Sequence, residues 1–172
     1  MTTLPAQDRF LALLDEHRKI LYKVANAYCR NPEDRRDLAQ EIVVQLWRSF
    51  GRFDERASFS TWMYRIAMNV AISFYRSESR RTRRTELVEE PILEILAVDR
   101  AAPEESSDDI GQLHRFIGEL DELNRALVIL YLDGNSHETI GEILGISTSN
   151  VGTRIGRIKQ RLRKDFDRVA NR

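Results

Sequence analysis

The 172-residue chain carries one cysteine, Cys29, so it can form neither an internal disulfide nor a cysteine-based metal cluster. Its three histidines, His17, His114 and His137, stand far apart and match no metal-ligand spacing. No run of roughly 18 apolar residues is present, which excludes a membrane-spanning helix. The opening MTTLPAQDRF lacks the basic-then-apolar order of a secretory signal, so a soluble protein of the reducing cytoplasm is expected. Glycine-rich phosphate loops and Ser/His/Asp arrangements are also missing. The expectation is a protein with no catalytic residues, no metal and no cofactor, and therefore not an enzyme.

Net charge is zero, yet the charges are segregated. Residues 1–85 hold 16 basic and 10 acidic side chains, a net of +6. Residues 86–110 hold nine acids and one arginine, a net of −8. Residues 111–172 hold ten bases and eight acids, a net of +2, and from Arg154 onward eight bases face two acids. The pattern reads as two basic-faced units, 1–85 and 109–172, joined by an acidic linker, 86–108, that Pro91 and Pro103 bracket. Within the linker a short apolar island, Ile92 to Val98, falls below the length of a self-sustaining helix. The linker is expected to be extended and flexible. It could span roughly 75 Å extended but about 35 Å as continuous helix.

Apolar residues recur at helical spacing almost everywhere and nowhere alternate as strands do, which makes the fold class all-α, two small helical domains. The first helix is expected from about Asp8 to Cys29. Asn31 and Pro32 then supply an N-cap and a proline at the first helical position of a second, ending near Gly51. A third is expected from near Ser60 to about Ser79, after an irregular stretch Arg52–Ser58. Its core stripe is Trp62, Met63, Ile66, Ala67, Val70 and Phe74. Beyond the linker, helices are expected at Asp108–Leu120, Glu122–Leu132, Ser136–Leu144 and Thr148–Ala170.

The C-terminal pair has the form of a helix-turn-helix. Ser136 and Ser147 can cap the two helices, and Gly145 can take the positive φ that ends the first. Ile140, Leu144, Ile146, Val151 and Ile155 fall where the helices must pack, and Gly141 is small at the crossing. Val151, Ile155, Ile158 and Leu162 form the inner stripe of the last helix. Thr148, Ser149, Asn150, Thr153, Arg154 and Arg157 are left on its exposed N-terminal half, where they can reach phosphates or base edges. The plainer alternative is an amphipathic helix with a basic outer face.

The N-terminal unit carries a second signature. Ala39, Ile42, Val43, Leu46 and Phe50 make an inner stripe on the second helix. Asp37, Gln40, Glu41, Val44 and Trp47 remain on a mixed acidic, amide and apolar side of the kind that binds proteins. On the third helix, Arg65, Asn69, Ile72 and Arg76 form a line that continues into Arg80, Arg81, Arg83 and Arg84. Aromatics, an amide and a basic run together suit a surface that tracks a nucleic-acid backbone beside a pocket for an unstacked base. Core aromatics with a solvated basic tail would give a similar pattern.

Taken together the segments resemble an extracytoplasmic-function sigma factor, the compact group of the bacterial sigma-70 family. DLAQE followed by LW resembles that family's core-polymerase-binding helix. FSTWMYRIAMN resembles its promoter-melting, minus-ten segment, and LDELNRALVILYLDGNSHETIGEILGISTSNVGTRIGRIKQRL its minus-thirty-five-binding domain. The resemblance spans Phe10 to about Arg168 and implies that Asp37, Gln40, Glu41 and Trp47 grip core RNA polymerase. It implies that Ser60, Thr61, Trp62, Arg65, Asn69 and Arg76, with the loop Arg52–Ser60, open and hold minus-ten promoter DNA. It further implies that Thr148, Ser149, Asn150, Thr153, Arg154 and Arg157 read the minus-thirty-five element. The linker would thread the polymerase interior, and an anti-sigma factor would hold the protein off until a signal releases it. Gly152 and Gly156 depart from the family's pattern, which usually carries a lysine or another side-chain-bearing residue at the first. Two other classes remain in view: a stand-alone helix-turn-helix regulator that needs no polymerase, and a helical interaction module that binds a regulator but no DNA.

Overall fold

The computed structural model describes residues 5–77 and 108–172, so all of the linker but Asp108, with its apolar island and Arg80, Arg81, Arg83 and Arg84, lies outside the described residues. Every regular element among the described residues is helical. The chain divides into two compact units, Met1–Glu105 and Ser106–Arg172.

The first unit contains α1 (Ala6–Glu16), α2 (Arg18–Tyr28), α3 (Pro32–Ser49), a short 3₁₀ turn (Phe50–Arg52) and α4 (Phe59–Arg76). The single long helix expected from Asp8 to Cys29 is broken at His17. There the backbone sits at φ −107°, ψ 14°, and the Ile20 N–H bonds the His17 carbonyl, three residues back rather than four. The His17 imidazole also reaches the Leu13 carbonyl at 2.9 Å, and its ring packs 5.1 Å from Phe59. A side chain tied to the preceding turn and to another helix thus redirects the chain. Asn31 caps α3 as expected, its side-chain oxygen accepting the Asp34 N–H at 2.7 Å. Arg35 reaches back from α3 to the last carbonyls around α2, Cys29 O at 3.1 Å and Arg30 O at 3.0 Å.

Helices α2, α3 and α4 pack against one another. Leu21, Val24, Leu38, Ile42, Val43, Leu46, Met63 and Ala67 are buried at their centre. The α4 core stripe lies partly off the expected one. Phe59, Met63, Tyr64, Ala67, Met68 and Ala71 are buried, whereas Trp62, Ile66, Val70 and Phe74 are only half-buried. Because α4 meets both α2 and α3, its buried arc is centred between them, and the bulky Trp62 falls at the margin. Ser58 caps α4 by accepting the Thr61 N–H at 3.2 Å.

The second unit contains α5 (Asp108–Glu119), α6 (Glu122–Leu132), α7 (His137–Leu144) and α8 (Thr148–Ala170). Phe116, Leu120, Leu127, Leu130, Ile140, Val151 and Ile155 form its core. Arg125, buried among them, donates to Gly118 O at 2.8 Å and Leu120 O at 3.0 Å, so one α6 side chain satisfies carbonyls left open at the end of α5.

Candidate nucleic-acid and protein interfaces

Ser136 and Ser147 cap α7 and α8, accepting the Thr139 and Asn150 N–H groups at 3.1 Å each. Between the two helices Gly145 adopts φ +71°. The N–H groups of Gly145 and Ile146 both converge on the Gly141 carbonyl, at 2.8 and 3.1 Å. A Cβ on Gly141 would stand 2.7 Å from the Ile146 carbonyl oxygen, so the turn closes only over a bare glycine. Val151, Ile155 and Ile158 are buried against the unit while Thr148, Ser149, Asn150, Thr153 and Arg157 are exposed. A helix-turn-helix that buries one side of its second helix offers the other to a DNA groove.

Arg154 differs from its neighbours. It is half-buried; its Nε donates to Asn150 Oδ1 at 2.9 Å, and one terminal nitrogen donates to Asn124 Oδ1 on α6 at 3.4 Å. The Thr153 hydroxyl donates to the Ser149 carbonyl at 3.1 Å. Lys159 donates to the Tyr131 hydroxyl at 2.6 Å, and Arg161 lies over the Phe116 ring at 5.8 Å. These two cations fasten α8 to the unit as well as adding charge to its outer side.

In the first unit Asp37, Gln40, Glu41 and Val44 are half-buried along one side of α3, ending in Trp47, 40% exposed. The Trp47 ring packs 5.1 Å from Phe10 of α1, so it holds α1 as well as facing outward. Glu41 accepts from Gln45 one turn on, at 3.2 Å. On α4, Arg65, Asn69 and Arg76 are exposed in one line, with Trp62, Thr61 and Ser60 half-buried at its start.

A feature that the spacing alone does not reveal is the aromatic cluster where this line meets the loop before α4. Trp62 lies 5.1 Å from Phe53 and 5.4 Å from Phe59, and Phe50 lies 6.3 Å from Phe53. Beside them an open groove of about 470 Å³ is lined by Arg9, Leu13, Phe53, Glu55, Ser58 and Phe59. Glu55 holds a left-handed backbone at φ +63° and pairs with Arg9 of α1. Arg9 and Glu55 were not legible as partners, because they lie 46 residues apart. Among the described residues no group of His, Cys, Asp and Glu could hold a metal, and no helix is long and apolar enough to cross a membrane.

Two family models match, Sigma-70 region 2 over residues 13–81 and Sigma-70, region 4 over residues 110–162. The ECF RNA polymerase sigma factor SigW of Bacillus subtilis is 30% identical over 170 residues, covering 93% of this chain and 90% of its own length. The RNA polymerase sigma-H factor of Pseudomonas aeruginosa is 28% identical, over 90% of this chain and 83% of that one. Among solved structures, the sigma factor RpoE of Bartonella quintana, in complex with the anti-sigma factor NepR, shares the fold with a TM-score of 0.68 at 20% identity. The match covers 94% of this chain and 96% of that one. CnrH, in complex with the cytosolic domain of CnrY, matches with a TM-score of 0.66 at 23% identity, over 94% of this chain and 89% of that one. With both sigma regions present in order, and a relative at this identity over nearly its whole length, the chain belongs to the extracytoplasmic-function sigma factors of the sigma-70 family.

Proposed function

We propose that this sigma factor binds core RNA polymerase through the α3 side bearing Asp37, Gln40, Glu41 and Trp47. The unit of residues 1–85 engages minus-ten DNA and that of residues 109–172 engages the minus-thirty-five element. Residues 86–108 link the two. On α4, Ser60, Thr61, Trp62, Arg65, Asn69 and Arg76 face the opened minus-ten strand, and the groove beside Phe53 and Phe59 accepts an unstacked base. An aromatic wall is suited to that task because every base has a π-face to stack on it, and arginines alongside meet phosphates. On α8, Thr148, Ser149, Asn150, Thr153, Arg154 and Arg157 enter the major groove. The protein carries no catalysis of its own. It acts in the cytoplasm, where it lends promoter choice to the polymerase.

The observation that carries this reading is that a polar, basic side stays exposed on both α4 and α8 while the opposite sides are buried. A stand-alone regulator would use α8 but gives the α3 side and the α4 line no task. The RpoE structure holds an anti-sigma factor, and we extend that mode of control to this chain: a regulator of that kind masks the polymerase-binding surface until a signal removes it. Pull-down of core polymerase by the full chain tests the first step. Wild-type capture with loss for Glu41→Lys supports the α3 assignment, and equal capture by both refutes it.

A further inference from the structure

Arg154 is held on both sides by amide oxygens. A guanidinium has five N–H donors and no acceptor, so each asparagine must turn its oxygen, not its nitrogen, toward it. Asn150 accepts from Nε at 2.9 Å and Asn124 accepts from a terminal nitrogen at 3.4 Å. Asn124 is itself anchored: its side-chain nitrogen donates to Asp121 Oδ2 at 3.0 Å, and its backbone N–H donates to Asp121 Oδ1 at 2.8 Å. The relay Asp121–Asn124–Arg154–Asn150 therefore runs from the cap of α6 to the front of α8.

The relay decides what α8 can offer. Asn150 gives Arg154 one of the two lone pairs of its oxygen. A bidentate contact with adenine needs one donor and one acceptor, whereas guanine presents two acceptors, N7 and O6, in the major groove. Arg154 contributes its remaining N–H donors. Arg154 is thus an all-donor group held in place by two amide oxygens.

We propose that Asn124 is a positioning residue that fixes Arg154, and that Arg154, which offers donors only, consequently selects guanine over adenine in the upstream promoter element. This rests on reading α8 as the DNA-contacting helix. Asn124 acts through Arg154 and needs no DNA contact of its own. Its substitution by alanine keeps the α6 cap, because the Asp121 Oδ1 bond is made to the Asn124 backbone.

The test is transcription by core polymerase with the full chain on a promoter library randomised in the minus-thirty-five element, read by sequencing the transcripts. Wild type is expected to enrich guanine at one or two positions. Arg154→Ala should abolish that preference. Asn124→Ala should lower the guanine-to-adenine ratio there by roughly tenfold, the scale of a lost bidentate contact. Asn124→Gln, which returns an amide oxygen on a longer arm, should recover it. Circular dichroism of each variant confirms that the helices are intact. If Arg154→Ala relaxes the preference but Asn124→Ala leaves it unchanged, the positioning role is refuted while α8 remains the reader. If Arg154→Ala changes nothing, Arg154 reads no base and the proposal fails, while α8 still has Thr148, Ser149, Asn150, Thr153 and Arg157 exposed to read the element and its own assignment stands. Enrichment of adenine at the positions that Arg154→Ala relaxes would overturn the donor-only reading of Arg154.

Discussion

The same substitution, glycine to alanine, should have opposite effects at two positions fifteen residues apart in the helix-turn-helix. Each replacement relieves the cost of glycine in a helix, about 1 kcal/mol. At Gly156 an added Cβ meets nothing within 4 Å, so that gain should appear whole. At Gly141 the Cβ would stand 2.7 Å from the Ile146 carbonyl oxygen, a backbone atom that cannot rotate away. The Gly141 carbonyl also accepts the N–H groups of Gly145 and Ile146, so moving the turn loosens both. Overpacking of this kind costs about 1–3 kcal/mol. Gly141→Ala should therefore lose about 1 kcal/mol net, or somewhat more. One kcal/mol corresponds to about 4–8 °C in a domain of this size. Thermal melting of the full chain by circular dichroism reads both effects. Trp47 and Trp62, the two tryptophans, lie in the first unit, so their fluorescence provides an internal control that should not move. A Gly141→Ala protein at least as stable as wild type would refute the close-approach argument. Gly152 completes the set. Its Cβ would rest 3.5 Å from the His137 ring, an ordinary contact, so Gly152→Lys should also melt higher. If the glycine serves no close approach to DNA, that lysine adds a phosphate contact, strengthens binding to all sequences and steepens the salt dependence. A more stable variant with weaker specific binding would show that the bare backbone is needed at the groove.

Three further outcomes follow from the geometry. Glu41→Lys should weaken capture of core polymerase with helix content unchanged. Trp47→Ala should weaken capture too, but also destabilise the first unit, because its ring packs on Phe10; capture as strong as wild type by both variants would refute the α3 assignment. Asn69 is exposed on α4, so Asn69→Ala should leave melting unchanged while reducing strand opening and altering one minus-ten base preference. Permanganate footprinting with normal opening and an unchanged preference would contradict that. Arg125→Ala should destabilise the second unit by about 3 kcal/mol, since it strands the carbonyls of Gly118 and Leu120. Urea unfolding within about 0.5 kcal/mol of wild type would show the cap to be dispensable.

What local chemistry determines was legible beforehand. The caps at Asn31, Ser136 and Ser147, the left-handed Gly145 and the buried stripe Val151, Ile155 and Ile158 each depend on residues within one turn. What depends on a distant partner was not. The break at His17 needs Phe59, 42 positions along the chain, to hold the ring. The rotation of the α4 stripe reflects two neighbouring helices at once, which a single periodicity cannot encode. Arg125 and Asn124 read as ordinary polar positions near a helix start, and only the packing shows one capping α5 and the other holding Arg154. Arg9 and Glu55 follow the same rule. The linker, whose extension is an expectation from its acidic charge, falls, but for Asp108, on residues outside those described.

The most direct measurement is run-off transcription from a promoter library by purified core polymerase, with and without the chain. Transcripts that start at discrete sites only when the chain is present, and share an upstream and a minus-ten element, are the predicted result. Binding of the chain to DNA without polymerase, together with no chain-dependent start sites, would contradict it.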